Sequence, residues 1–297
     1  MIIVSSIGEF LILVGGGAAF LVVMALVQYF VRAMISGRRW IRPVRFLEEP
    51  IPPEWAEIMH ERFPLSRQLT ESERTRLLRY VQLFLHEKNI EGCNGLEITD
   101  EIRVTIAAQA CYLLLGLNAG CYPDLKTVLV YRRAYIPKEN TLDQARVGTG
   151  GVQRPPQARL GESWLHGTVV LSWDATVSGA ANFRDGRNVV FHEFAHRLDQ
   201  QDGVADGLPA ALEISSLQTW AELIGKHHER LKKARKKFRR TVLQKYGATN
   251  RAEFFAVATE AFFEKPHQLH KKAPDLYAEF ADFYGRDPAG ALETETE

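Results

Sequence analysis

The sequence predicts an α+β chain, mainly helical with a small sheet, preceded by one N-terminal transmembrane helix. Three observations carry this reading. Several segments repeat apolar residues at a period near 3.6, only short runs are rich in β-branched residues, and residues 10–31 carry no formal charge.

The apolar run from Phe10 to Val31 is 22 residues long. As a helix it would span ~33 Å at ~1.5 Å per residue, enough for a hydrocarbon core of ~30 Å. Gly15, Gly16 and Gly17 weaken it without forbidding it, because glycine is common in membrane helices. A cleaved signal peptide fits worse: no basic residue precedes the run and no small-x-small site follows it. Glu9 lies before the segment, and Arg32, Arg38, Arg39, Arg42 and Arg45 follow it. By the positive-inside rule the chain after Arg32 is then cytoplasmic, on a single-pass anchor in the cell inner membrane. Cys93, Cys111 and Cys121 agree with that side, since they are widely spaced, form no CxxC pair and read as reduced thiols.

The expected organisation is an anchor with a basic juxtamembrane segment over 1–45, a globular domain over 46–290 and a disordered tail over 291–297. Pro43, Pro50, Pro52 and Pro53 punctuate the connector. Thr70-Glu71-Ser72-Glu73 is a capping-box pattern that opens a helix through about Lys88, with Leu77, Leu78, Val81, Phe84 and Leu85 on its apolar face. A second helix is expected from Thr99 or Asp100 to Leu115, stopping at Gly116. Thr127–Tyr131 reads as a short strand, and residues 138–160 turn polar and Gly/Pro-rich, as in a long surface loop. Thr168–Trp173 reads as a second strand. It is either an edge that holds an extended peptide or a plain core strand.

Val189–Asp199 reads as a helix, with Val190, Phe194, Ala195 and Leu198 at helical spacing and no Gly or Pro among them. Positions i and i+4 lie one above the other on a helix, so His192 and His196 direct two imidazoles into the same space. Two such groups suit a tetrahedral zinc, and Glu193, about 100° round the helix, can reach a water there without ligating. A third protein ligand must come from elsewhere. The long metzincin continuation needs Gly at 199 and His at 202, where this chain has Asp199 and Asp202. Residues 251–263 are strongly apolar yet contain Glu253 and Glu260, seven apart on nearly the same face. One could ligate zinc while the other holds a ligand imidazole by its free N–H, with Asp202 as a further candidate ligand. His227-His228 and His267/His270 are read as surface histidines, the first pair in a charged helical run and the second in a turn after Pro266.

HEFAHRLD at 192–199, followed by AEFFAVATEAFF at 252–263, is similar to the Mlc titration factor A family of zinc-dependent peptidases. The residues Ile98–Cys111, Ser163-Trp164, Val170–Trp173 and Phe280–Tyr284 also fit, so the resemblance spans roughly 48–288. A Tyr seven residues before the ligand Glu also resembles the zincin site of lethal-factor-type toxin proteases. The resemblance implies a zincin-like metallopeptidase domain with zinc ligands His192, His196 and Glu253, and with Glu193 as the catalytic carboxylate. It implies that Tyr246 steadies the oxyanion and that Asp199 and Glu260 support the ligands. Its implied activity is hydrolysis of a peptide or protein substrate, with an aminopeptidase preference, by a zinc-activated water with Glu193 as general base. The alternative it implies is a regulatory protein that binds a transcription repressor of sugar uptake, with zinc mainly structural.

The whole chain carries 37 Lys plus Arg against 36 Asp plus Glu, a formal +1, and no direct nucleic-acid partner is expected. The basic run Lys226–Arg240 contains one acid, Glu229. Such a run is ordinarily a solvated helix face; on a chain tethered to a cytoplasmic leaflet it would also face anionic lipid.

Overall fold

The computed structural model describes residues 45–117, 120–133, 161–164, 167–209, 212 and 216–293. The expected transmembrane segment at 10–31 and the polar loop at 138–160 lie outside these residues. Among the described residues no helix is long and apolar enough to cross a membrane. The described part is α+β and mainly helical, with one small sheet.

Helix α1 (Pro53–Arg62) begins with Pro at its first position, where the missing N–H costs nothing. Helix α2 (Glu71–Glu87) starts on the reciprocal cap: Glu73 N–H donates to Thr70 Oγ1 and Thr70 N–H donates to Glu73 Oε2. After strand β1 (Asn89–Gly92), helix α3 (Asp100–Tyr112) starts on the Thr99 cap and is buried over most of its length. It stops one turn before the expected Leu115. The chain bends at Gly116, where an added Cβ would lie 2.0 Å from the Tyr284 carbonyl oxygen.

The sheet has the order β1-β2-β4-β3, with β2 (Thr127–Tyr131), β3 (Gly161–Trp164) and β4 (Thr168–Ser172). β1/β2 and β2/β4 are parallel, and β3/β4 is antiparallel. β4 pairs on both sides, so of the two alternatives for this strand the core strand holds. Among the described residues the outermost strand on that side is β3, and it packs beside the histidine-bearing helix. Trp173 leaves the strand and opens helix α4 (Trp173–Ala181).

Helix α5 (Val189–Asp199) carries the two histidines, and α6 (Leu217–Lys236) carries the basic run. α7 (Arg251–Glu264) carries both glutamates of interest, and α8 (Pro266–Lys272), α9 (Pro274–Tyr284) and α10 (Pro288–Glu293) follow. α10 reaches into the stretch expected as a disordered tail, and residues 294–297 lie outside the described residues.

The aromatic faces of α6, α7 and α9 interlock. Trp220 stacks on Phe280 with ring centroids 5.3 Å apart, and Phe262 stacks on Tyr284 at 5.6 Å. α6 buries Trp220, Ile224, His227, His228 and Leu231 as one helical stripe. His227 and His228 are therefore buried, at 5% and 8% exposure, and the surface expectation for that pair is corrected. His227 Nε2 lies 3.0 Å from Asp275 Oδ1, and the His228 ring meets Phe254 edge-on. His267 and His270 are exposed as expected, but on helix α8 rather than in a turn.

Candidate metal centre

α5 is held at its N-terminus by a single residue. Asn188 Oδ1 accepts the Phe191 N–H at 3.0 Å, and Asn188 Nδ2 donates to Gln109 Oε1 of α3 at 3.0 Å. Val190, Phe191, Phe194, Ala195 and Leu198 are fully buried, so the helix cannot roll and its histidines face one way. The facing element is the first turn of α7, fixed by Asn250, whose Oδ1 accepts the Glu253 N–H at 2.8 Å.

The result is a convergence of three side chains. His192 Nε2 lies 3.0 Å and His196 Nε2 3.5 Å from Glu253 Oε2. All three ligand atoms fall within 4.8 Å of one another. Behind them, His192 Nδ1 lies 2.8 Å from Glu260 Oε1, about two turns further along the same face of α7. The Asn188 N–H, at the start of the ligand helix, donates to Glu260 Oε2 at 2.7 Å, and Gln244 Nε2 donates to the same oxygen at 3.2 Å. Tyr246, in the one-turn helix Lys245–Ala248, places its hydroxyl 3.3 Å from Glu253 Oε1 while remaining 51% exposed. Glu193 is buried on α5 beside the pair. Asp199 is fully buried and accepts the Gly207 N–H at 2.9 and 3.1 Å, pinning the turn after α5.

The electrostatics follow from this layout. Burial pulls His192 toward its neutral form, but hydrogen bonds to Glu253 and Glu260 and the nearby Glu193 outweigh it, so the imidazole holds its proton well above the usual range. His196 lacks a second carboxylate of that strength, and burial lowers its pKa. Burial alone would raise Glu253, yet the bonds from both imidazoles reverse that and hold its carboxyl well below the usual range. Glu264, one turn beyond Glu260, is pushed up to about 8 by burial and by the Glu260 charge; its Oε2 accepts the Arg187 N–H at 2.9 Å.

The donor set fits a zinc ion. It offers two imidazole nitrogens and one carboxylate oxygen, the mixture that catalytic zinc sites use, and the Tyr246 hydroxyl lies beside the carboxylate. The His192–Glu260 contact has the form of the carboxylate support that, in metal sites, fixes a ligating imidazole's tautomer and orientation. Asn188, Gln109 and Gln244 complete this support and were not singled out from the sequence. Two of them left a signal. Asn188 stands directly before an apolar helical run, where a cap is expected, and Gln109 is an isolated polar residue in an apolar helix.

The family description "Glucose-regulated metallo-peptidase M90" matches residues 37–285. The chain belongs to this family. Similar proteins include an uncharacterized protein of Synechocystis sp., 38% identical over 248 residues that cover 83% of this chain and 89% of that protein. They also include proteins named Mlc titration factor A. The one from Serratia proteamaculans is 30% identical over 233 residues (77% of this chain, 86% of its own). The one from Escherichia fergusonii is 30% identical over 240 residues (80% and 87%). The matched region takes in α5, α7 and every residue of the candidate M90 centre.

Proposed function

We propose that the chain is a zinc-dependent peptidase that hydrolyses peptide bonds at the His192–His196–Glu253 cluster. One observation carries the reading most: three side chains of a zinc donor set converge, one of them already braced by Glu260, in a chain of a metallo-peptidase family. Bound there, zinc would polarise the scissile carbonyl and shift the pKa of a water toward ~7. Glu193 takes the proton of the attacking water and delivers it to the leaving amine. Tyr246, exposed and beside Glu253, donates its hydroxyl to the oxygen on which charge develops. Glu260 keeps the His192 ring in register throughout. An aminopeptidase preference is part of this proposal, as is attachment of the catalytic part to the cytoplasmic face of a bacterial inner membrane through residues 10–31.

The test is Glu193→Ala. It should keep wild-type zinc content while peptide hydrolysis falls by about 10²- to 10⁴-fold, the range for losing a general base. Hydrolysis at the wild-type rate in a zinc-replete variant sinks the mechanism. A second reading is suggested by relatives named for titrating Mlc: regulatory binding of a transcription repressor, with zinc mainly structural. It is favoured if Glu193→Ala leaves repressor binding intact and neither protein hydrolyses peptides.

A further inference from the structure

The C-terminal end of α6 and the turn that follows it form a surface remote in kind from the ligand cluster. A cleft of about 680 Å³ opens there. Arg230, Lys233, Lys237, Arg239, Arg240 and Lys272 surround it, and no carboxylate among the described residues lines it. The nearest acids are spoken for: Glu229 pairs with Lys232 at 2.7 Å, and Asp275 pairs with Lys226 and His227 at 2.6 and 3.0 Å. The floor is apolar, with Leu231 and Leu269 almost wholly buried beneath the cations.

Phe238 falls in the chain between two residues that line this cleft, Lys237 and Arg239, and is 87% exposed. A single exposed apolar residue is ordinarily unremarkable, but its backbone position is not. The Phe238 N–H donates to Arg235 O at 3.2 Å and the Arg239 N–H to Ala234 O at 3.0 Å. These are the paired bonds that close a helix through a left-handed residue, the place where glycine is favoured. Phe238 holds φ = 52° there. A bulky side chain at that angle carries backbone strain, and among the described residues the ring, 87% exposed, gains little packing in return; Lys245 Nζ lies 5.6 Å from its centroid. Among the described residues, neither helix closure nor the core accounts for a phenyl ring at this point.

We propose that this tip docks on an anionic phospholipid leaflet, with Phe238 inserted among the acyl chains and the surrounding cations on the headgroups. An apolar wedge flanked by cations over an apolar floor matches the boundary between headgroup and acyl layers. A polyanion without an apolar layer would use the cations and leave the exposed ring no acyl environment in which to be buried. The sequence adds a second indication, a 22-residue uncharged run at 10–31 followed by five arginines by position 45. Docking would also set the candidate centre close to the membrane, since Lys245 touches the Phe238 ring and its neighbour Tyr246 bonds Glu253.

The tip is rich in exposed trypsin sites, so cleavage at Lys237, Arg239 and Arg240 reports on it directly in the full chain, whether or not residues 10–31 insert. With phosphatidylcholine vesicles, cleavage should be fast. With vesicles containing phosphatidylglycerol it should be slowed at least about tenfold and recover in high salt, because each basic residue contributes about fivefold to partitioning and salt screens it. Phe238→Gly should melt no lower than wild type and be cut at the wild-type rate on phosphatidylcholine, yet lose the phosphatidylglycerol protection. The double variant Lys233→Glu with Lys272→Glu should lose it as well. Equal cleavage on the two vesicle types overturns the proposal, as does protection by single-stranded DNA or polyglutamate but not by phosphatidylglycerol. Full protection in Phe238→Gly removes the wedge.

Discussion

The metal cluster and the α6 tip both place charge where a helix dipole favours it, and the fold treats the two in opposite ways. Glu253 sits in the first turn of α7, at the positive end, and the lysines and arginines of residues 233–240 sit at the negative end of α6. Around Glu253 the charges are buried and bonded to one another, through His192, Glu260, Asn188 and Gln244. Around Phe238 the cations are exposed, and the apolar ring is left outside with them. Burial converts charge into fixed geometry, because a buried ion without partners is too costly to keep. Exposure leaves charge available to whatever approaches, at a strength that salt can tune.

Three substitutions sharpen this contrast. The largest effect is expected inside the cluster: Glu260→Gln, which keeps an acceptor for His192 but removes its charge, should weaken zinc affinity by about 10- to 100-fold in a chelator competition. An unchanged affinity would mean that the His192–Glu260 contact does not tune the ligand.

Next is the pH dependence of stability set by Glu264. Its folded pKa is about 8 against an ordinary 4.5. Below the ordinary value both the folded and the unfolded chain hold the proton, and above 8 neither does. Between them only the folded chain holds it, so this residue makes stability fall as pH rises across that window, by at most ~1.4 kcal/mol per pH unit. Denaturant unfolding at several pH values should show wild type losing stability relative to Glu264→Gln across that interval. Parallel profiles would show that the carboxyl is already ionised in the fold.

The smallest effect belongs to the tip. Phe238→Gly should leave stability between unchanged and about 1 kcal/mol higher, since glycine relieves the left-handed position. A clear loss of stability would mean the ring belongs to the fold after all.

Much of the site was legible because its strongest signal is local. The i, i+4 spacing of His192 and His196 needs only a helix, and the caps at Thr70 and Thr99 announce where α2 and α3 begin. Glu253 was harder: spacing alone left Glu260 and Asp202 as rivals, and their separation depends on how α5 and α7 pack. What stayed hidden is decided by distant contacts or by weak patterns. α3 stops early because Gly116 meets Tyr284 and Gly285. β1 has the polar sequence Asn-Ile-Glu-Gly, which carries no strand alternation of its own and is recruited by pairing with β2. His227 and His228 sit in a run so charged that it masks the stripe of Trp220, Ile224 and Leu231, on which both fall.

Asn188 carries one more consequence. Its side chain closes α5 and holds Gln109 of α3, and its N–H holds Glu260 of α7, so three helices share one residue. A slip of the ligand helix along its own axis would break all three attachments at once. If the cluster holds zinc as proposed, a cage pinned in this way would discriminate among cations by ionic radius and preference for nitrogen rather than by closing around whichever ion arrives. A large oxygen-seeking ion such as calcium would find too few oxygens and no freedom to recruit more.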